Sequence, residues 1–334
     1  MSALDPSIVF VGVHFEALAP LRYLFDLRAR VLGLVTLAPE ATAGVSGAVD
    51  LAPDATSAGV PVLFVRKVNE PSCVEWIRAL APDLLLVIGW TQLLREELLS
   101  IPKIACLGFH ASLLPRYRGR APINWALING ERETGNTMMV LEPGADEGDI
   151  VAPRRIPITD EDDCRTLYEK VGESEVDMLA EVLARIRQGM LPRRKQDSTV
   201  ATVMPKRRPE DGAIDWSLPA GRLFNWVRAL THPYPGAFCR LGNRRLWVWK
   251  VERCAGPRAT ELRVSPGSVA QDGKGWPLAA TGDGWLRLLR VQLEGEREMS
   301  GAEAAAAFLT PGTILETMTL ERQNEGSRSL RASG

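Results

Sequence analysis

Short apolar runs separated by helix-like patterns fill the first half of the 334-residue chain. The runs contain Ile, Val, Leu and Phe without polar alternation, which is typical of strands buried on both faces of a parallel sheet. Repeated β-α-β order predicts an α/β fold, a Rossmann-like, doubly wound, mainly parallel sheet. The predicted strands are Ser7–His14, Val31–Leu37, Val60–Val65, Asp83–Gly89 and Ile104–His110.

Helical spacing of apolar residues separates these strands and continues after them. Two further runs, Thr137–Leu141 and Ile150–Ile156, predict strands that form a hairpin. The acidic run Asp160–Asp163 is expected in the first turn of the longest helix, where the helix dipole favours anions. The predicted helices are Leu18–Arg30, a segment around Val45–Ala58, Cys73–Leu80, Gln92–Leu99, Ala121–Asn129 and Asp160–Gln188.

The second half has a different pattern. A polar, basic, Pro-containing segment predicts a linker over 191–208, and it follows a catalytic domain over 1–190. Short strands divided by Gly, Asp and Pro turns then predict a small OB-like β-barrel domain over 209–325, with a tail over 326–334. Its expected elements are a helix over Pro219–Leu230 and strands at Ala237–Arg240, Arg245–Val251, Gly267–Ala270, Leu278–Thr281 and Trp285–Leu293.

Charge and cysteine content exclude several classes of protein. The formal net charge is −1, from 40 basic and 41 acidic residues, so no global positive field draws the chain onto nucleic acid. The five cysteines form no CxxC pair, and no metal site is predicted. No apolar stretch approaches membrane-spanning length and the N-terminus lacks a signal-peptide pattern, so we expect a cytoplasmic protein without membrane contact.

Candidate site residues follow the predicted strands. Ligands of doubly wound sheets bind outside the carboxyl ends of the strands, and His14, Gly89–Trp90 and His110 fall at those ends. A Gly-Ala-Asp-Glu-Gly-Asp turn over 144–149 presents Asp146, with glycines that let the backbone approach a ligand. A histidine and an aspartate are the minimum set for polarising a carbonyl and moving a proton.

These residues lie within a longer stretch, HASLLPRYRGRAPINWALINGERETGNTMMVLEPGADEGDIV, which begins at His110. In combination, His-x-Ser-Leu-Leu-Pro, Arg-Gly-x-x-Pro and Gly-x-Asp-x-Gly-Asp resemble the core of the folate-dependent formyltransferases. Further likeness, in Asp215–Ser217 and Pro233–Phe238, extends to the C-terminal domain of the members that act on tRNA and nucleotide sugars. The resemblance covers about nine tenths of the chain.

The resemblance implies transfer of a formyl group from 10-formyltetrahydrofolate, the co-substrate, to a primary amine. His110 would stabilise the oxyanion, and Asp146 would orient His110 and relay protons. This chain departs from the family's Asn-x-His motif, because Gly108 occupies the Asn position. Loss of one oxyanion donor costs about 10²–10³ in rate. A backbone N–H, a water, or the side chain of Ser112, Asn124 or Asn136 is expected to compensate, or else the catalyst is weak or specialised.

The resemblance also places the folate pocket between two loops. Backbone groups of these loops would pair with the pteridine, while apolar side chains flank it, a common mixture in small-molecule pockets. Leu93 and Leu94 are equally well explained as helix core. No GxGxxG follows the first strand, so a dinucleotide is not expected. The residues assigned to folate are Gly89, Trp90, Gln92, Leu93, Leu94, Leu141 and Gly144.

Three acceptor classes remain open, and a nucleotide-linked amino sugar is preferred. Ser112, Arg116, Arg120 and Asn124 are assigned to the acceptor, with the guanidinium of Arg120 suited to a diphosphate. Transfer RNA is less favoured because Ala38–Gly59, after the second strand, contains no Lys or Arg. The third class is a small amine such as N-hydroxyornithine, whose stronger nucleophilicity would ease the loss at position 108.

A folate-binding pseudo-enzyme is the alternative outside catalysis, and it predicts folate binding without turnover. A homodimer is left open. His14 is expected to be a satisfied strand end, His232 a turn residue and Cys106 buried core.

Overall fold

A computed structural model of the chain describes residues 5–254 and 264–318. The chain divides into two compact units. The first contains the residues up to Arg207 together with Arg228–Pro235, and the second contains Arg208–Val227 and the residues from Gly236 onward. Residues 191–207, predicted as linker, therefore group with the first unit. The predicted tail, 326–334, lies outside the described residues.

A seven-stranded sheet forms the centre of the first unit. Its spatial order is β3-β2-β1-β4-β5-β7-β8, parallel through the first five strands and antiparallel at β7 and β8. The strand order reverses between β1 and β4, as in doubly wound sheets. The predicted Rossmann-like fold is confirmed. The strands are β1 (Ile8–Gly12), β2 (Val31–Leu37), β3 (Val62–Val65), β4 (Leu84–Ile88), β5 (Ala105–His110), β7 (Glu133–Val140) and β8 (Ile150–Pro157).

Helices cover both faces of this sheet. One face packs against α1 and α6, whose Leu21, Leu24 and Val182 belong to the larger core, and the other packs against α3 through Val74 and Ile77. The helices are α1 (Leu18–Asp26), α2 (Ala52–Ser57), α3 (Pro71–Leu80), α4 (Glu96–Leu99), α5 (Pro122–Ile128) and α6 (Cys164–Arg187), with 3-10 turns at Phe15–Ala17, Pro39–Ala41 and Ser198–Val200.

Three predicted helix boundaries are wrong. The segment around Val45–Ala58 is helical only in α2, because Gly47 (φ 76°) has a left-handed backbone. The helix predicted from Gln92 begins at Glu96, since the Gln92 side chain instead bonds the backbone of Arg66 and Val68. Asp163 caps α6 through a capping box, so the other acidic residues precede the helix.

The second unit is built around an antiparallel sheet with the order β10-β11-β14-β13-β12, and β15 pairs with β14. This curled, small sheet agrees with the predicted OB-like domain. The sequence did not reveal β15 and α8, which Ser300 caps. The elements are β10 (Ala237–Leu241), β11 (Arg244–Cys254), β12 (Val269–Gln271), β13 (Pro277–Ala280), β14 (Trp285–Leu293), β15 (Met299–Ser300) and α8 (Gly301–Ala307).

The chain also contains a short two-stranded ladder and one further helix. A two-stranded parallel ladder joins β6 (Arg118–Gly119) to β9 (Val203–Met204) within the first unit. Helix α7 (Ala220–Leu230) follows the 3-10 turn Pro209–Gly212. Within residues 5–254 and 264–318, every helix is too short or too polar to span a bilayer.

Candidate active site

His110 and Asp146 lie together at the carboxyl edge of the sheet. His110 is the last residue of β5, and Asp146 belongs to the turn between β7 and β8. His110 Nδ1 is 3.5 Å from Asp146 Oδ1, and both side chains are largely buried. The structure thus places next to each other the two residues that the resemblance assigned to catalysis.

The protons of His110 follow from its neighbours. His110 Nε2 lies 2.7 Å from the carbonyl oxygen of Tyr117, which can only accept, so Nε2 carries a hydrogen and donates it. Nδ1 then faces the Asp146 carboxylate, which can accept or return a proton at that nitrogen.

Asp146 is held in an uncommon backbone conformation. Its φ is 58°, in the left-handed region that few residues other than glycine adopt. Its second carboxylate oxygen, Oδ2, accepts a hydrogen bond of 2.8 Å from the backbone N–H of Gly119. One carboxylate oxygen thus serves His110 while the other is fixed by the backbone.

Gly108 has no free space beside it. A Cβ built at this position would lie 2.7 Å from Leu141 Cδ2 and 3.1 Å from Leu141 Cγ. The isobutyl group of Leu141 therefore occupies the volume in which an Asn side chain would begin. This apolar group supplies no hydrogen-bond donor, so Leu141 replaces the bulk of the family's amide and not its chemistry.

The three side chains expected to compensate for Gly108 are all bonded elsewhere. Ser112 Oγ donates to Arg116 O at 2.7 Å. Asn124 donates to Ala229 O at 2.6 Å. Asn136 bonds Ser174 Oγ at 3.1 Å on α6.

Asn136 also lies on the face of the sheet opposite His110, so its side chain cannot take the place of the missing amide. Thr137 is paired with His110, so their side chains share a face, and Asn136 points to the opposite face. Its contact with α6 agrees with that placement.

The residues assigned to folate at the end of β4 have different surroundings. Gly89 has φ 60°, and its carbonyl accepts from the backbone N–H groups of Val13 and His14. Trp90 keeps its indole N–H buried and unpartnered. Leu93 is 64% exposed, whereas Leu94 is core. The exposed Leu93 leaves an apolar contact available to a ligand, whereas the indole N–H of Trp90 is enclosed by the protein.

In the second loop assigned to folate, Gly144 lies against the end of the flexible Glu147 side chain. A Cβ there would meet the end of the Glu147 side chain at 2.4 Å. Leu141, assigned to the same pocket, contacts Gly108 as described above. Folate contacts at these seven positions remain predictions.

The residues assigned to the acceptor divide into exposed and buried groups. Arg116 and Arg120 are exposed, so their guanidinium groups are accessible to a ligand. Ser112 and Asn124 are buried and bond the backbone. Arg118, between the two exposed arginines, is buried and bonds Gln196. Acceptor binding at these positions remains a prediction.

Sequence reasoning missed the contribution of residues 194–204. Gln196 and Thr202 bond the loops that carry Asp146 and Tyr117. The only signal in this segment was its basic and Pro-containing composition, which is equally typical of a solvated linker. Nothing in such a pattern marks an amide as a contact of a catalytic loop.

A second polar cluster surrounds the loop that follows β1. We call it the acid cluster, and its members belong to the loop after β1, to β7, to α6 and to the segment after α7. Glu16 is largely buried, with its Oε1 3.6 Å from His14 Nδ1. Tyr168 and Tyr234 share a hydrogen bond of 2.6 Å. The acid cluster consists of His14, Glu16, Asn136, Tyr168, Glu175 and Tyr234.

Burial dominates the protonation of the acid cluster. Desolvation raises the pKa of Glu16 to about 7 and lowers that of His14 to about 4. Desolvation, and then the charge of Glu16, raise the pKa of Glu175 well above its usual value. Among the described residues, no Lys or Arg forms an ion pair with either glutamate. His14 Nδ1, Asn136 Oδ1 and Glu175 Oε2 are buried without a hydrogen-bond partner.

The remaining candidates are structural. His232 lies in a turn. Cys106 is buried in the core, and that burial raises the pKa of its thiol. Over the described ranges, His, Cys, Asp and Glu residues form no group of three that could hold a metal ion.

Comparison with known protein families identifies both parts of the chain. The family model for formyl transferase matches residues 33–183, and that for the formyl transferase C-terminal domain matches residues 206–309. Together the two matches cover more than half of the chain, in the same order as its two domains, and show the class to be formyl-group transferases.

Similar sequences show which family the chain belongs to. The methionyl-tRNA formyltransferase of Citrifermentans bemidjiense is 39% identical over 311 residues, 92% of this chain and 96% of that protein. The enzyme of the same name from Caldanaerobacter subterraneus is 38% identical over 316 residues, 92% of this chain and 99% of that protein. This chain belongs to the formyltransferase family and is an enzyme that transfers formyl groups.

Solved structures agree in fold at lower identity. HypX from Aquifex aeolicus in complex with tetrahydrofolic acid has a TM-score of 0.66 at 18% identity, covering 92% of this chain and 48% of that chain. The N-formyltransferase from Helicobacter canadensis, in complex with folinic acid and dTDP-3-aminofucose, has a TM-score of 0.62 at 14% identity, covering 84% of this chain and 98% of that chain.

Proposed function

We propose that this formyltransferase moves the formyl group of 10-formyltetrahydrofolate to the amino group of methionyl-tRNA. Support for the acceptor comes from relatives of that name, which align with nine tenths of this chain across both domains. The nucleotide-linked amino sugar that the sequence favoured has weaker support, from structures only 14% identical. The acceptor expectation is therefore revised.

The His110–Asp146 contact is the single observation that carries the chemistry. The amine nitrogen attacks the formyl carbon, a C–N bond forms, and the formyl oxygen becomes an oxyanion. His110, whose ring lies beside Asp146, stabilises that oxyanion. The nitrogen loses its proton, the bond from carbon to folate N10 breaks, and N10 receives a proton, giving tetrahydrofolate and the formylated amine.

Exposed basic side chains provide contacts for a nucleic acid acceptor. Arg116, Arg120 and Arg194 are exposed, and Lys195 is 89% exposed with a weak pairing to Asp149 at 3.6 Å. Phosphate contacts of this kind supply affinity that falls as salt rises. Such residues compensate for the missing basic residues of Ala38–Gly59.

The test is a set of parallel assays in which tetrahydrofolate release is followed. The acceptors are methionyl-tRNA, uncharged tRNA, free methionine and a dTDP-linked amino sugar. Release with methionyl-tRNA alone, weakening as salt rises, is the expected result. Release with the sugar nucleotide and not with methionyl-tRNA would reject the tRNA acceptor. Folate binding without release for any acceptor would favour a pseudo-enzyme.

A further inference from the structure

Residues 194–204, which we call the strap, run along both catalytic loops of the first unit. Arg194 exchanges two backbone hydrogen bonds with Ile150, of 2.8 and 2.9 Å. Thr202 accepts from the backbone N–H of Tyr117 with its hydroxyl and from that of Arg118 with its carbonyl, both at 2.8 Å. The strap therefore bonds the loop whose Tyr117 carbonyl contacts His110.

Gln196 is the strap residue that reaches the other catalytic loop. Its Nε2 donates to Asp146 O and to Gly148 O, both at 2.8 Å. Its Oε1 accepts from Arg118 Nε at 3.1 Å and Nη2 at 2.8 Å. Carbonyls only accept and a guanidinium only donates, so only one of the two orientations of the Gln196 amide can make all of these hydrogen bonds.

Asp146 needs such a contact because its own backbone does not favour the conformation it adopts. A left-handed non-glycine residue persists where its surroundings hold it. On the far side of the turn, a Cβ at Gly148 would lie 1.7 Å from Val140 O, so that end of the loop is packed directly against β7. Gln196 ties Asp146 O to this packed end.

We propose that Gln196 is a positioning residue that holds the Asp146–Gly148 turn so that the Asp146 carboxylate faces His110. Arg118 fixes the amide of Gln196 from its other side, and the neighbouring Gly119 N–H fixes Asp146 Oδ2. The catalytic carboxylate is thus set by a segment about 50 residues away in sequence. The proposal rests on the proposed formyl transfer, although one of its tests does not depend on turnover.

Two variants test the proposal by turnover. Gln196→Ala removes both contacts to the turn, and misplacement of a catalytic group by about 1 Å is expected to lower kcat about 10- to 100-fold with little change in KM for the formyl donor. Gln196→Glu keeps the shape but presents a carboxylate oxygen to two carbonyl oxygens. Protonation lets that carboxyl donate, so the activity of Gln196→Glu relative to the native chain should rise as pH falls.

Histidine NMR tests the same proposal without turnover. The chain contains three histidines, His14, His110 and His232, so ¹⁵N-histidine spectra are simple. The His110 resonances should shift in both Gln196 variants and stay unchanged in Gln271→Glu, a matched control on an exposed strand residue.

Each outcome bears on the proposal. A shifted His110 signal with a lowered kcat supports it. Native kcat in Gln196→Ala, a native pH profile in Gln196→Glu, or unchanged His110 resonances in both variants would overturn it. If the native chain itself fails to turn over any acceptor, the proposed function fails, and the NMR comparison still decides whether Gln196 positions the turn. Gln196→Glu, which retains the side-chain volume, serves if Gln196→Ala does not fold.

Discussion

The two polar clusters of the first unit differ in how completely they are hydrogen bonded. Around His110 and Asp146, backbone N–H and C=O groups contact both the ring and the carboxylate. In the acid cluster, atoms of His14, Asn136 and Glu175 are buried without partners. Backbone contacts preorganise groups that act on a developing charge. Buried groups without partners destabilise the fold until a ligand or proton satisfies them.

The largest expected effect on activity concerns the cluster around His110 and Asp146. Asp146→Asn keeps the size of the side chain but removes its charge, so His110 loses the carboxylate beside its Nδ1. General acid–base groups contribute about 10²–10⁴ in rate, and we expect kcat to fall about 10³-fold in the tetrahydrofolate-release assay. Glu175→Gln is the matched change in the acid cluster. An equal loss of kcat there would erase the functional difference between the clusters.

A second prediction concerns the space beside Gly108. Gly108→Asn drives a Cβ into Leu141, and overpacking of this kind costs about 1–3 kcal/mol of unfolding free energy. Leu141→Ala in the same chain should recover most of that loss, because it empties the contested volume. Urea unfolding of the single and double variants measures both effects. Additive losses would show that Leu141 is not what limits position 108.

The third prediction concerns pH and the acid cluster. The pKa of Glu16 is raised in the folded state, so the folded chain retains this proton while the unfolded chain loses it, and stability falls as pH rises toward and past 7. Between pH 6.5 and 8 this amounts to about 1 kcal/mol, which Glu16→Gln should abolish. His14 has a lowered pKa and acts in the opposite direction, but between about pH 4 and 6.5.

Thermal unfolding of both proteins across pH 6.5–8 checks this expectation. Tyr168 and Tyr234 face the same cluster, and their raised pKa values keep both neutral over this range. The charge of Glu16 also raises the pKa of Glu175, so the difference between the two curves reports Glu16 together with its coupling to Glu175. Parallel curves would show that Glu16 holds no proton in the folded state across this pH range.

The smallest effect is expected at Leu93. This side chain is mostly exposed, so Leu93→Ser should leave the unfolding free energy within about 0.5 kcal/mol. If Leu93 flanks the pteridine, KM for 10-formyltetrahydrofolate should rise several-fold while kcat is kept. Leu94→Ser, in the core, should instead destabilise the chain. Native KM in Leu93→Ser would remove Leu93 from the predicted folate pocket.

Much of the fold was predictable because its signals are local. Uninterrupted apolar strands and helical spacing gave the mainly parallel sheet, and Gly/Asp/Pro turns gave the small second domain. The helix boundaries at Gln92 and Asp160 were wrong because side-chain bonds to the backbone decide where those helices begin. His110 and Asp146 were found through motif resemblance, since nothing in periodicity separates a catalytic histidine from a structural one.

The sequence by itself determined the doubly wound, mainly parallel sheet, the OB-like second domain and the positions of His110, Asp146 and Gly108 in the chain. Only the tertiary structure decided that Leu141 fills the space at Gly108, that Gln196 bonds the Asp146 turn, and that Glu16 and Glu175 belong to one buried cluster. Periodicity reports which face of an element is apolar. Contacts between residues 30 to 160 positions apart depend on how the loops pack, and no local pattern encodes that packing.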